Sequence, residues 1–119
     1  MDRIYSDTHL TVDFQRQVAL LDTRPMDLTR KEFDLLALLV RYAGHIVPRE
    51  EQLMQVWGYS KEIRTRTLDV HIRHLRKKLG VYASHYIETI FGIGHRFQPF
   101  DAARRVEFRT ETPVLALSA

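Results

Sequence analysis

The chain contains no cysteine. That excludes a disulfide framework and thiolate metal ligands, and it suits a reducing cytosol. No apolar run approaches the length of a membrane span; the longest, "LLALLV", is six residues. Residues 1–20 lack the basic start and continuous apolar stretch of a signal peptide. The chain has no internal repeat, low-complexity tract or linker. Catalytic parts are missing too. No carboxylate pair, no Ser or Cys nucleophile beside a base and no cofactor fingerprint stands at a recognisable spacing, so the expectation is that this is no enzyme and takes no cofactor. His71 and His74 are three apart on a predicted helix, but no further pair at zinc spacing joins them, and no metal is expected. Gly92 and Gly94 lack the Lys-Ser/Thr and the helix that complete a phosphate loop, which leaves a hairpin turn.

What is present argues for one compact domain. The hydrophobic share is 45%, with one Trp, five Tyr and six Phe, enough for a core of modest size in 119 residues. The net charge is +3 and unevenly placed. Lys61 to Lys78 carries seven Lys and Arg against Glu62 and Asp69, a local +5 that leaves −2 on the other 101 residues. A basic segment in a slightly acidic chain is an electrostatic footprint for nucleic acid. A solvated helix end fits the charge alone equally well.

Residues 1–28 read as short strands in an antiparallel meander. "HLTVDF" alternates, with Leu10, Val12 and Phe14 on one face. "RQVALLD" and "RPMDL" follow as weaker strands. A first helix starts at Thr29, which forms a capping box with Glu32; Leu28 and Phe33 can staple its entry. Phe33, Leu36, Leu39 and Val40 mark its buried stripe, and Gly44 is its stop. A second helix fits "PREEQLMQVW", with Pro48 in the first turn and Leu53, Val56 and Trp57 inward. Residues 58–65 form a loop. A third helix runs from Arg64 or Thr65 to Leu79 and stops at Gly80. Tyr86–Phe91 and His95–Phe97 are strands joined through a glycine turn. "RRVEFRT" could add one more strand, and "ETPVLALSA" shows no periodicity.

The third helix raises the functional question. At 100° per residue, Leu68, Ile72, Leu75 and Leu79 fall within roughly 40° of one direction. Arg66, Val70, Arg73 and Lys77 fall opposite, with His74 on the shoulder and Asp69 to the side. A solubilising face mixes signs, and this one holds no acid. Guanidinium groups can bond a guanine edge bidentately or clamp a phosphate, and Val70 can lie against a thymine methyl. A membrane-surface helix would need its large apolar groups outside, where this one must bury its leucines. Helix, short helix, loop, basic helix and glycine-tipped hairpin make up a helix-turn-helix with a wing.

"LTRKEFDLLALLVRYAGHIVPRE", "VWGYS", "RTLDVHIRHLRKKLG" and "YIETIFGIGHRF" together resemble the OmpR/PhoB-type winged-helix domain, the C-terminal effector half of many bacterial response regulators. The resemblance covers residues 3–98 in order and with the family's spacing. It implies an α+β fold: an N-terminal antiparallel sheet, three helices and a C-terminal β-hairpin wing over residues 1–98, with 99–119 a C-terminal extension. It implies sequence-specific binding of double-stranded DNA in transcription regulation, within a two-component system. Arg66, Val70, Arg73 and His74 take the major-groove positions. Arg76, Thr67, Trp57 and Thr89 take phosphate contacts; Lys77, on the same basic face, is a further phosphate candidate from its charge and equally a solvated helix end. Tyr59, Ser60, Lys61 and Glu62 lie in the loop that faces RNA polymerase. A cytoplasmic protein, monomeric alone and a tandem dimer on DNA, is the corresponding expectation. The chain is too short to hold a receiver domain as well.

Four positions depart from the family's habit. His74 and Phe91 stand where Arg is common, His95 where Tyr is, and Pro48 where a Ser caps the second helix. Phe91 cannot pair with a base edge or a phosphate. With two histidines in these places, DNA affinity is expected to rise as His74 and His95 protonate. The other reading is a winged-helix protein-interaction module that works through the 58–65 loop. Salt separates the two, since phosphate contacts are salt-sensitive and a packed protein interface is far less so.

Overall fold

The computed structural model describes residues 4–60 and 62–100. The expected "RRVEFRT" strand, the "ETPVLALSA" segment and Lys61 lie outside them. The first sheet is the predicted meander: β1 (Ile4–Ser6), β2 (Leu10–Asp13), β3 (Val18–Leu21) and β4 (Arg24–Pro25), antiparallel in that order. Tyr5 and Ala19 lie opposite Val12, and all three are buried with Leu10, so alternation in sequence becomes one apolar face. The β3–β4 hairpin turns on Asp22 and Thr23, both at positive φ (50° and 67°), the pairing of a twisted two-residue turn.

Helix α1 (Arg30–Arg41) begins with the capping box intact: Glu32 N–H donates to Thr29 Oγ1 at 3.2 Å and Thr29 N–H to Glu32 Oε1 at 2.9 Å. Phe33, Leu36, Leu39 and Val40 are buried as their spacing predicts. The helix stops at Arg41, short of Gly44. The Gly44 N–H instead donates to Phe97 O at 2.8 Å, which turns the chain into a strand the sequence did not reveal, β5 (Ile46–Pro48). Three residues ending in proline carry no periodic signal. The strand exists because β7 (Gly94–Phe97) offers it an edge, with Val47 opposite His95.

Pro48 is the N-cap of α2 (Arg49–Trp57), without a side-chain cap, and not a first-turn residue. Helix α3 (Thr67–Leu79) starts later than expected, because Arg66 is its N-cap and Thr65 turns inward to accept the Thr67 N–H at 3.1 Å. Gly80 caps α3, but a 3-10 turn and a short helix α4 (Ala83–Tyr86) follow before β6 (Ile87–Ile90). Tyr86 therefore belongs to a helix and Phe91 to the turn, and the wing is shorter than predicted. The second sheet runs β5-β7-β6.

Helix α1 packs on α2, α3 and β7. Leu68, Leu75, Leu79, Tyr86 and Phe97 are fully buried between the two sheets' inner faces and the helices. Truncating one such leucine to alanine costs about 2–5 kcal/mol. A polar pin closes the opposite end. The Asp7 carboxylate accepts from the hydroxyls of Tyr5 and Tyr86 and from the N–H groups of His9, Leu10 and Phe100. Burial alone would raise the Asp7 pKa; these donors outweigh it and hold the group below its ordinary 3.8. Phe100 also packs its ring edge-on or tilted against His9, Tyr82, His85 and Tyr86.

Candidate nucleic-acid interface

Helix α3 presents two faces. Leu68, Ile72, Leu75 and Leu79 point into the core. Arg66, Arg73 and Lys77 are exposed on the other side, with Val70 half-buried among them. The wing hairpin β6–β7 stands beside this face, and a cleft of about 460 Å³ separates them. Arg49, Arg73, Arg76, Thr89 and Phe91 line it, with Asp69 and His95. A second cleft of about 700 Å³ lies on the other side of the α3 N-terminus, between Arg49, Glu50 and Leu53 of α2 and the Ile63–Arg66 segment.

Arg49 and Asp69 divide the two clefts. Arg49 Nη1 donates to Asp69 Oδ1 at 2.8 Å. That bond holds the Asp69 carboxyl below its ordinary 3.8, against a smaller opposing effect of desolvation. The pair ties the first residue of α2 to the first turn of α3 and neutralises the one acid beside the basic face. Sequence reading missed Arg49. A signal existed: a cation in the first turn opposes the helix dipole, so Arg49 needs a reason beyond helix formation.

The remaining predicted residues divide between solvent and structure. Arg76 is half-buried and donates from Nη2 to Ile87 O at 2.9 Å and to Thr89 Oγ1 at 2.7 Å. Desolvation pulls its pKa below the ordinary arginine range. Arg76 and Thr89 thus bind each other and lock the wing to α3. Trp57 is half-buried and meets His71 edge-on, centroids 4.8 Å apart, while His71 Nδ1 lies 2.8 Å from Thr67 O. Thr67 Oγ1 accepts from Thr65.

His74 leans away from the Arg66–Arg73 face. Its Nδ1 is 3.4 Å from Oε2 of Glu32, whose side chain is 4% exposed and accepts from Lys78 Nζ at 2.7 Å. Burial would raise the Glu32 pKa; the Lys78 and Thr29 hydrogen bonds outweigh it, and the group sits below 4.5. Sequence reading placed Glu32 only as a cap. Its role as an anchor for α3 comes from contacts 46 residues away.

His95 requires a correction. It is not a solvent-facing cation in waiting. The ring is buried, and Nδ1 lies 3.0 Å from the Gln52 amide nitrogen, which also donates to Val47 O at 2.9 Å. Burial, with the nearby charges of Arg76 and Arg49, pushes its pKa down from 6.5 to about 4. It stays neutral where DNA affinity was expected to follow its protonation, which leaves His74 alone of the two facing solvent.

In the 58–65 loop, Tyr59 packs against the core while Ser60 and Glu62 are exposed. No described helix is long and apolar enough to cross a membrane. Among the described residues no group of His, Asp and Glu is placed to hold a metal ion.

The sequence model of the family described as "Transcriptional regulatory protein, C terminal" matches residues 23–97. The chain belongs to this family of OmpR/PhoB-type domains. The response regulator ArlR of Staphylococcus saprophyticus is 45% identical over 76 residues, 63% of this chain and 34% of its own length. The chain thus spans about a third of that relative. The DNA-binding domain of CpxR from E. coli superposes with a TM-score of 0.71 at 30% identity, covering 80% of this chain and 96% of that one. The Klebsiella pneumoniae RstA DNA-binding domain, solved with the RstA box, gives 0.74 at 31% identity, covering 81% and 97%. The sheet, helices and hairpin described above are the winged-helix fold of these domains.

Proposed function

We propose that this chain binds double-stranded DNA sequence-specifically and serves as the effector domain of a two-component response regulator. One observation carries the reading: the outer face of α3 is cationic, free of acid and open, beside a cleft lined by further arginines. Arg66, Val70 and Arg73 read base edges in the major groove, and Lys77 and the N-terminal turn at Thr67 meet phosphates. His74 takes a flanking position, set by its contact with Glu32. Trp57, Arg76 and Thr89 act mainly by holding the wing and α2 against α3, with their outer edges toward the backbone of the DNA.

The likeness to RstA, solved with its DNA box, supports the reading. The same reading places residues 1–98 in the DNA-binding unit and 99–119 in an extension. It assigns Tyr59, Ser60, Lys61 and Glu62 to contact with RNA polymerase, in a cytoplasmic protein that is a monomer alone and a tandem dimer on DNA. It assigns no catalytic role.

The test is selection from a random duplex library, then anisotropy titration of the selected site against a scrambled duplex at two salt concentrations. A repeated motif should emerge. Affinity should fall by orders of magnitude between about 50 and 200 mM salt. Arg73→Ala should weaken the selected site about tenfold or more and flatten the preference at one base pair. Equal, weak binding of both duplexes would refute the proposal.

A further inference from the structure

Phe91 is 91% exposed at the tip of the wing, the most exposed large apolar side chain in the described domain. Its neighbour Ile93 is 48% exposed. The two form an apolar tip left open to solvent. The turn beneath is rigid. Ile93 N–H donates to Ile90 O and Arg49 N–H donates to Ile93 O, both at 2.9 Å, so the α2 N-terminus clamps the hairpin end. Gly92 holds φ at +77°, and Gly94 passes so close to Val47 that a Cβ would lie 2.0 Å from its carbonyl oxygen. Between Ile90 and Gly94 the turn holds no charged residue. Around Phe91, Arg49, Arg73 and Arg76 line the cleft that separates wing from α3.

That layout fixes what the tip would meet. If α3 lies in a major groove, the strand bounding that groove enters the arginine-lined cleft. The hairpin tip then stands on the far side of that strand, over the adjacent minor groove. A rigidly held, uncharged aromatic tip flanked by cations is built for insertion between base pairs. Its flanks meet phosphates, and its ring replaces the stacking that the parted bases lose.

We infer that Phe91, backed by Ile93, is a minor-groove wedge that parts one base step beside the major-groove site and bends the duplex there. This rests on the DNA-binding reading above. The wedge favours steps that unstack easily, such as TA and CA/TG, so it adds specificity at a position where no side chain reads a base edge.

The experiment uses the full chain and duplexes carrying the selected site. 2-Aminopurine is placed at successive positions in the wing-side flank, and dyes at the duplex ends report bending by energy transfer. Wild type should raise 2-aminopurine fluorescence at one step and shorten the end-to-end distance. Phe91→Ala should lose both signals and bind about tenfold more weakly, while still preferring the selected motif over the scramble. Phe91→Leu should restore the bend in part. Phe91 is solvent-exposed on a turn set by other residues, so neither change should unfold the domain; a thermal melt checks this.

A Phe91→Ala protein with unchanged affinity, bend and fluorescence would overturn the wedge while leaving DNA binding intact. So would a loss seen only on two-site duplexes, which would make Phe91 a contact between neighbouring copies. If wild type binds no duplex at all, the DNA-binding reading falls and the wedge with it.

Discussion

Arg49 and Asp69 stand 20 residues apart in sequence, yet Arg49 Nη1 lies 2.8 Å from Asp69 Oδ1 and Nη2 lies 3.4 Å from Oδ2. The pair joins the starts of α2 and α3, with Arg49 half-buried and Asp69 exposed. Its value lies less in stability than in the charge it masks beside the basic face.

Asp69→Asn should therefore raise affinity for a scrambled duplex about fivefold at low salt, the size of one screened charge interaction. The gain should shrink as salt rises. Selectivity for the preferred site should fall, because Arg49 is released to any phosphate within reach. Anisotropy titrations at two salt concentrations measure this. Weaker binding to both duplexes would show that the pair organises the face instead of restraining it.

Glu32→Gln should destabilise the domain by about 1–2 kcal/mol at pH 7, through loss of the charge-assisted bond from Lys78 and a weaker capping box. The pH dependence follows from the sign of its shift. The folded-state pKa lies below 4.5, so the stabilisation is present above 4.5 and is lost as pH falls through the folded value. Thermal melts from pH 7 to pH 3 should show the wild type converging on the variant below pH 4.5. A constant gap over that range would disprove the charge argument.

His95, a basic group, gives a dependence of the same sign: stability again falls as pH drops. Its folded pKa of about 4 lies below the ordinary 6.5, so the unfolded chain takes up a proton first as pH drops. Stability is complete above 6.5 and declines between 6.5 and 4, by about 2 kcal/mol at pH 5. His95→Gln should remove that decline. Ring proton shifts in the NMR spectrum should keep His95 neutral at pH 5; titration near 6.5 would contradict the buried geometry.

Thr23→Gly should stabilise the domain by about 0.5–1 kcal/mol, once the extra chain entropy of glycine is subtracted. Thr23 is β-branched, exposed and held at φ 67°, where glycine is unstrained. For a domain of this size the melting temperature should rise by about 4 °C. A drop would mean that the threonine side chain supports the hairpin more than its backbone strains it.

The elements that sequence predicted well are those with a local cause. The Thr29–Glu32 capping box and the two apolar helix stripes need only neighbours three or four residues away. The alternation in β2 needs neighbours two residues away. Strand β5 and helix α4 were invisible because neither has a periodic pattern; β5 forms only where β7 runs beside it. Arg66, Val70, Arg73 and Lys77 could be grouped from helical angles alone. That Arg76 binds Thr89, that His74 turns to Glu32 and that His95 is buried under Gln52 could not.

The sequence by itself determined which helix carries positive charge, which side of it is buried and the order of elements that makes a wing beside it. Those follow from spacing and composition along one chain. Only the tertiary structure decided which polar groups face solvent and which are spent on the fold, and it brought Arg49, Asp69 and the tip of the wing to one cleft. A side chain's pKa and freedom depend on neighbours that folding brings from 20 residues away in the Arg49–Asp69 pair and from 43 in the Gln52–His95 pair.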